Sequence, residues 1–533
     1  MKLSLSDIHN AKGWGSIRTP GYNIGAVREN TRVNPTWLHF GAGNIFRGFI
    51  CSLQDNLLEN GIESTGIIAA DTFDYEIIDR IFRDYDNLTL NVSLMADGSV
   101  KSEILASVCE ALKADCTDSS EMARFRQIAA ELSLQMISFT ITEKGYAVTD
   151  TKGELTPLVR EDIKAGPGKS RHCMSFVAGL LFERYKAGCL PIALVSMDNC
   201  SHNGEKLKAG VMTVAKGWLE AGFCDNGFID YISDESKVSF PWSMIDKITP
   251  RPSEKVQRML EGMGAEGIDP IITSKKTFIA PFVNAEEPQY LVIEDSFPNG
   301  RPALEKSGVY FTDRETVNKT ERMKVTTCLN PLHTALAVYG CMLGYTLICE
   351  EMKDEELTRL VNRLGYIEGL PVVTDPGIIS PKAFIDEVVY KRLPNPFMPD
   401  APQRIATDTS QKVGIRFGET IKSYAAMGRT SELIAIPLAI AGWLRYLMGL
   451  DDNGEPIEIS SDPLKDELQA HLKGIELGKP ESYSGQLKAI LSNASIFGSN
   501  LCALGMDKLI EEIFVKEIAG KGAVRAFLNE YLA

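Results

Sequence analysis

The chain is poor in the residues that build metal and redox centres. Its six histidines include no H-E-x-x-H and form no cluster with cysteine, so no metal site is expected. Its eleven cysteines contain no C-x-x-C pair and show no regular framework. The start, Met1 to Asp7, has no long apolar region to serve as a secretory leader, so the cysteines read as reduced thiols of a cytoplasmic protein. Long hydrophobic runs are missing too. The strongest, 433–450, is interrupted by Pro437 and Arg445, so it reads as a buried helix rather than a membrane span. Positive charge is in deficit: a net charge of −15 argues against a nucleic-acid or anionic-membrane binder, although a local basic pocket stays compatible with it. What remains is a chain of 533 residues, 44% apolar and 24% charged. That is ordinary for a soluble globular protein and too long for one core, so two or three domains are expected.

Residues 1–35 read as an irregular lead-in. From Thr36 a short apolar strand runs into Gly41-Ala42-Gly43, and a helical pattern follows through Ile50, Leu53 and Leu57. Paired glycines let the backbone turn tightly and approach a pyrophosphate, which the next helix N-terminus attracts. The third glycine of G-x-G-x-x-G is absent, because Phe46 stands in its place. A second strand, 65–71, ends in Asp71, an acid placed to hold the ribose hydroxyls of NAD and to repel the 2′-phosphate of NADP. An aspartate opening an ordinary turn is the alternative.

Strands and helices keep alternating. The segments 133–142 and 191–197 read as strands, 173–186 and 203–220 as helices. Glu143 and Asn199 therefore stand just past strand C-termini, where open parallel sheets bind ligands. Turn chemistry is the competing explanation for both. Shorter strands are expected at 277–283 and 290–293. Beyond residue 320 the pattern turns helical, with helices at 330–348, 354–364, 409–427 and 431–449 and a Pro-rich loop at 393–402. The fold class is α/β: a Rossmann-like dinucleotide-binding domain over 1–320, then a mainly α-helical substrate and catalytic domain over 321–533.

The stretch 321–340 holds a polar set at the mouth of an apolar helix: Lys324, Asn330 and His333. Asn330 reads as the N-cap and Pro331 as a first-turn proline. Asn330 and His333 are three apart, hence neighbours on one helix face. A lysine, an amide and an imidazole there can supply a base, an oxyanion donor and a hydroxyl partner. A capped helix, a surface lysine and a satisfied core histidine remain the plainer alternative.

Several phrases, in this order, resemble the long-chain mannitol dehydrogenase family of polyol and hexuronate dehydrogenases. They are 40–47, 140–146, 196–199 with Asn203-Gly204, 244–250, 293–297 with 300–302, and Arg404 with 408–412. The resemblance covers nearly the whole chain. It implies NAD as cofactor, held by Gly41, Gly43, Asn44, Ile45 and Asp71, and chemistry without metal. It implies that Lys324 is the general base, that Asn199 and Asn330 hold the reacting oxygen, and that Glu143 gates proton exit. His333, Asp246, Arg404 and Lys412 fall at positions that contact substrate. The family commonly has its lysine and asparagine five apart; here 330 − 324 gives six.

Within the family, 324–345 is closest to the branch that reduces fructuronate to mannonate. That implies an open-chain sugar acid whose carboxylate pairs with Arg404, Lys412 or Arg416. Mannitol 2-dehydrogenation and tagaturonate reduction are alternatives, and a sugar-acid or nucleotide sensor is the non-enzymatic one. The sequence leaves oligomeric state open.

Overall fold

The computed structural model describes residues 1–8 and 11–532. The chain divides into two compact units, one made of Met1–Leu94 and Ser99–Val317, the other of Met95–Gly98 and Asn318–Ala533. It is a Rossmann-like unit with a parallel sheet followed by a helical one.

Six parallel strands form the central sheet: β1 Trp37–Phe40, β2 Ile67–Asp71, β3 Val108–Lys113, β4 Met136–Phe139, β5 Ile192–Ser196 and β6 Val238–Ser239. Their spatial order is 3-2-1-4-5-6, the doubly wound order whose reversal point lies between β1 and β4. The strands are apolar on both faces because helices cover both. Leu38, Phe40, Ile68, Ile137 and Leu194 enter one core, while Trp37, Ile67, Ala69, Met136 and Val195 enter the other. Period-two alternation assigns each side.

Several elements depart from the sequence reading. The lead-in is not irregular: helix Ile24–Val33 is capped by Asn23, whose side chain accepts from Ala26 N. Strand β3 and the hairpin Thr89–Leu94 with Val100–Leu105 carried no recognised signal, and the expected strand at 277–283 is two pieces, Phe278–Ile279 and Phe282–Glu286. Strand Phe282–Glu286 pairs parallel with Thr89–Leu94. Strand Tyr290–Glu294 lies antiparallel to Ser243–Asp246.

In the second unit every residue of helix Ala435–Tyr446 is buried. The Glu368 carboxylate caps it, accepting from the N–H groups of Ile434 (2.7 Å), Ala435 (2.6 Å) and Ile436 (3.0 Å). An acid satisfying orphan donors at a helix N-terminus is favoured by both hydrogen bonding and the helix dipole. Helix Asn330–Leu343 packs against it through Tyr339, whose ring fills the space that a Cβ at Gly442 would take, 2.5 Å from Cζ. Among the described residues no helix is long and apolar enough to cross a membrane.

Candidate active site

At the end of β1 the chain turns on Gly41, with φ +103°. A Cβ there would stand 2.2 Å from the Thr140 carbonyl oxygen, so only glycine fits between the ends of β1 and β4. Gly43 is different: a Cβ would meet nothing within 4 Å, so space lies open before it. The helix begins at Asn44, runs through a π-helical turn at Phe46–Ile50, and continues as Cys51–Glu59. Phe46, in the third-glycine position, stacks on the His39 ring at 4.0 Å. Close helix–sheet approach is supplied instead by Gly48, whose added Cβ would be 2.6 Å from Val283 Cγ1. The sequence analysis did not single out Gly48; its spacing from Gly43 is not that of the dinucleotide motif.

Asp71 reaches back from the end of β2. Its Oδ2 accepts from Ala42 N (3.3 Å), and its Oδ1 accepts from Phe73 N (2.7 Å) and Asp74 N (2.8 Å). Burial raises this carboxyl above its ordinary range, and the three N–H groups oppose that. An ionised carboxylate offers about four acceptor sites, so three backbone donors leave room for a ribose hydroxyl. Arg47 is fully buried, donating to Ala280 O (2.8 Å) and to Asn44 Oδ1 (2.9 Å), and burial depresses it to about 9. Glycine turn, open space at Gly43, helix start and acid together fit a dinucleotide.

A directed chain of hydrogen bonds sets the turn. Thr140 Oγ1 donates to Gly41 O (3.0 Å), so toward His39 Nε2 (2.9 Å) it must accept, which places the ring proton on Nε2. Burial pushes His39 down to about 3, so the ring is neutral and its Nδ1 accepts from Ser138 Oγ (2.7 Å). Ser138 in turn accepts from Trp37 Nε1 (2.7 Å). Nothing in the order of residues along the chain shows this link, because it crosses from β1 to β4.

At the ends of β4 and β5, Asp198 ties the two loops together. It accepts from Ile141 N and Thr142 N, both at 2.9 Å, and from the Tyr146 hydroxyl at 2.6 Å. Those loops carry Glu143, exposed and ion-paired with Lys206, and Asn199, exposed. Asn203 joins them to the next strand through Ser243 N and O, both at 3.0 Å, and Asp246 lies buried at that strand's end. Asp198 and Asn203 lie inside phrases that carried the resemblance but were not assigned roles.

Helix Arg314–Met323, whose chain passes from the first unit into the second, runs into a π-helical turn, Lys324–Cys328. Leu329 N bonds Lys324 O at 3.1 Å, an i→i+5 closure. A π turn holds one residue more than an α turn, and here it accommodates the spacing of six between Lys324 and Asn330. Lys324 is 2% exposed, which removes the surface-lysine alternative. Asn330 is not the N-cap: Leu329 is, with no side-chain capping bond, and Asn330 is the first helical residue. Pro331 behind it has no N–H to donate, so that position demands no cap.

His333 lies one turn into the helix. Among the described residues its Nε2 is buried without a hydrogen-bond partner, 3.6 Å from Asp400 Oδ2. Burial takes His333 down to about 4; Asp400 opposes this, while Arg416, Arg392 and Arg404 reinforce it, so the imidazole is neutral near pH 7. Arg404 is ion-paired with Asp400, and Lys412 donates to Thr407 O. Lys412 is lowered by burial and then by Arg416. The structure thus gathers Gly41, Gly43, Asn44, Ile45 and Asp71 at one turn, and Glu143 and Asn199 just past the ends of the paired strands β4 and β5, while Asp246 ends a strand of a separate three-stranded sheet. Lys324, Asn330, His333, Arg404 and Lys412 belong to the other unit. Among the described residues no group of three His, Cys, Asp or Glu could hold a metal ion.

Comparison with known proteins gives two family matches: the mannitol dehydrogenase Rossmann domain over residues 35–306, and the mannitol dehydrogenase C-terminal domain over 316–516. D-mannonate oxidoreductase of Thermotoga maritima is 52% identical over 536 aligned residues, 99% of each chain. Mannitol 2-dehydrogenase of Emericella nidulans is 28% identical, covering 96% of this chain and 94% of its own. Among solved structures, the ternary complex of Pseudomonas fluorescens mannitol 2-dehydrogenase with NAD and D-mannitol is 25% identical. It covers 100% of this chain and 99% of its own at a TM-score of 0.69.

Proposed function

The chain belongs to the mannitol dehydrogenase family of oxidoreductases acting on CH–OH groups, and from that we propose that it is an NAD-dependent, metal-independent, cytoplasmic reductase taking D-fructuronate to D-mannonate. The observation that carries the reading is the 52% identity, end to end, to a D-mannonate oxidoreductase. The cations gathered about His333, with Asp400 as their acid, suit an anionic substrate. The open space at Gly43 and the held carboxylate of Asp71 suit NAD.

Gly41, Gly43, Asn44, Ile45 and Asp71 would hold NADH, which when bound would supply the hydride that the carbonyl carbon takes up. Negative charge then builds on the carbonyl oxygen, and the side-chain amides of Asn199 and Asn330 are the donors assigned to it. One preorganised donor of this kind is worth about 3–4 kcal/mol in the transition state. Asn330 supports its assignment by spending no side-chain bond on capping. Lys324 gives its proton to that oxygen, and takes it back in oxidation. Its burial shields the transfer from bulk water. Glu143, exposed and paired with Lys206, is the residue assigned to exchange that proton with solvent. Asp246, His333, Arg404 and Lys412 contact the sugar chain.

Fructose reduction to mannitol is the second reading, favoured by the likeness to the mannitol 2-dehydrogenase complex. NADH oxidation with fructuronate, tagaturonate and fructose decides between them. Fructuronate should give the highest kcat/KM; preference for fructose or tagaturonate would replace the proposal.

A further inference from the structure

The resemblance offers Arg404, Lys412 and Arg416 to a substrate carboxylate, yet the first two are already engaged, Arg404 by Asp400 and Lys412 by the Thr407 carbonyl. Arg416 differs from them. It ends helix Thr409–Arg416, is half-buried, and has no carboxylate within ion-pairing distance among the described residues. Its one hydrogen bond among them is from Nη1 to the Thr334 hydroxyl, a neutral acceptor, at 2.5 Å. A guanidinium kept from water without a counter-charge is costly, and an anion arriving there recovers that cost.

Its position names the anion. Thr334 Oγ1 also donates to the Asn330 carbonyl at 2.9 Å, so Arg416 is held one helical turn from Asn330 and beside His333. Arg416 is also the leading cation acting on both His333 and Lys412. One turn is about 5.4 Å, close to the four-bond span from the ketone carbon of an extended fructuronate to the carboxylate carbon at the far end of its chain. We propose that Arg416 binds the terminal carboxylate of the substrate through its planar fork of N–H donors, and so selects sugar acids over neutral ketoses. The inference rests on the hexuronate reading above and adds to it the residue that reads the charge.

Steady-state kinetics of wild type, Arg416→Gln and Arg416→Lys with fructuronate and with fructose test it, together with NADH affinity by fluorescence titration. Loss of a charge-assisted pair should raise the KM for fructuronate about 10- to 100-fold, with a smaller change in kcat. The KM for fructose and the NADH affinity should stay within about twofold, because neither ligand offers that carboxylate. Lysine keeps the charge but not the fork, so its KM should be intermediate. A wild type that reduces fructuronate with a KM unmoved in Arg416→Gln overturns the Arg416 assignment alone. A wild type that reduces fructose and no hexuronate overturns the substrate reading and this inference with it. Should Arg416→Gln lose NADH binding through misfolding, Arg416→Lys decides: a raised fructuronate KM supports the assignment and an unchanged one sinks it.

Discussion

Lys324 carries the chemical reading, and its place in the fold sharpens the test of it. It is buried at the head of a π turn rather than lying on a surface. Lys324→Ala should lower turnover about 10²–10⁴-fold, the usual contribution of a general acid or base, while NADH binding on the Gly41 and Asp71 side stays nearly intact. Lys412→Ala should cost less, since Lys412 is assigned to substrate contact and already bonds Thr407. The reverse ranking would move the proton-transfer role to Lys412. Asp71 gives a second test at this scale. Asp71→Ser should raise NADP use relative to NAD by removing the charge that repels a 2′-phosphate. A wild type that already prefers NADP would show that Asp71 does not choose the cofactor. Asp71 was legible because it ends an apolar strand after paired glycines. The His39 chain was not, because its partners are about a hundred residues away and meet only when β1 and β4 pair.

Helix Asn330–Leu343 carries two of the candidate residues, Asn330 and His333, and two features around the element govern it. The first is the π turn before it, which no residue type announces: Val325, Thr326, Thr327 and Cys328 would suit an α turn equally well. Deleting Thr326 restores the spacing of five and lets the turn close as α. That variant should fold and keep measurable turnover, whereas inserting a further residue should abolish it. Activity lost equally in both would mean that the π turn itself, not the register it absorbs, is required. The second feature is Glu351, fully buried against Gly340, where an added Cβ would stand 1.9 Å from its Oε1. Neither carboxylate oxygen has a hydrogen-bond partner among the described residues. Burial, reinforced by Asp354, pushes this carboxyl from its ordinary 4.5 up to about 9. The folded chain therefore keeps a proton that the unfolded chain releases near 4.5. Stability is complete below that value and falls as pH rises toward 9. Glu351→Gln should be nearly neutral at pH 4.5 and stabilising at pH 8 by on the order of 5 kcal/mol. Thermal melts at the two pH values check it; a gain independent of pH would show that ionisation of Glu351 is not involved.

Across the whole molecule, the strands that could be read are those buried on both faces. Segments 65–71, 133–142 and 191–197 are largely apolar runs with polar residues at or just past their ends. Strand β3, Val108–Lys113, carries Glu110 and Lys113 and sits at the sheet edge, so its pattern does not stand out from a helix or a loop. The hairpin Thr89–Leu94 with Val100–Leu105 pairs with residues 282–286, almost two hundred positions on, which local periodicity cannot show. Long apolar helices were readable; their breaks were not, as at Gly344 and Phe417. The proposed chemistry also has a whole-molecule consequence. Every role is given to a side chain of the chain itself: amides for the oxygen, a lysine for the proton, a guanidinium for the carboxylate. A reductase working this way needs no Lewis acid at the carbonyl, since the ammonium and the amides carry the developing charge. Prolonged EDTA treatment followed by desalting should therefore leave the rate of NADH oxidation with fructuronate unchanged. The control is the same protein assayed with and without added Zn²⁺. A rate lost on chelation and restored by Zn²⁺ would take the proton chemistry away from Lys324 and give it to a metal-bound water.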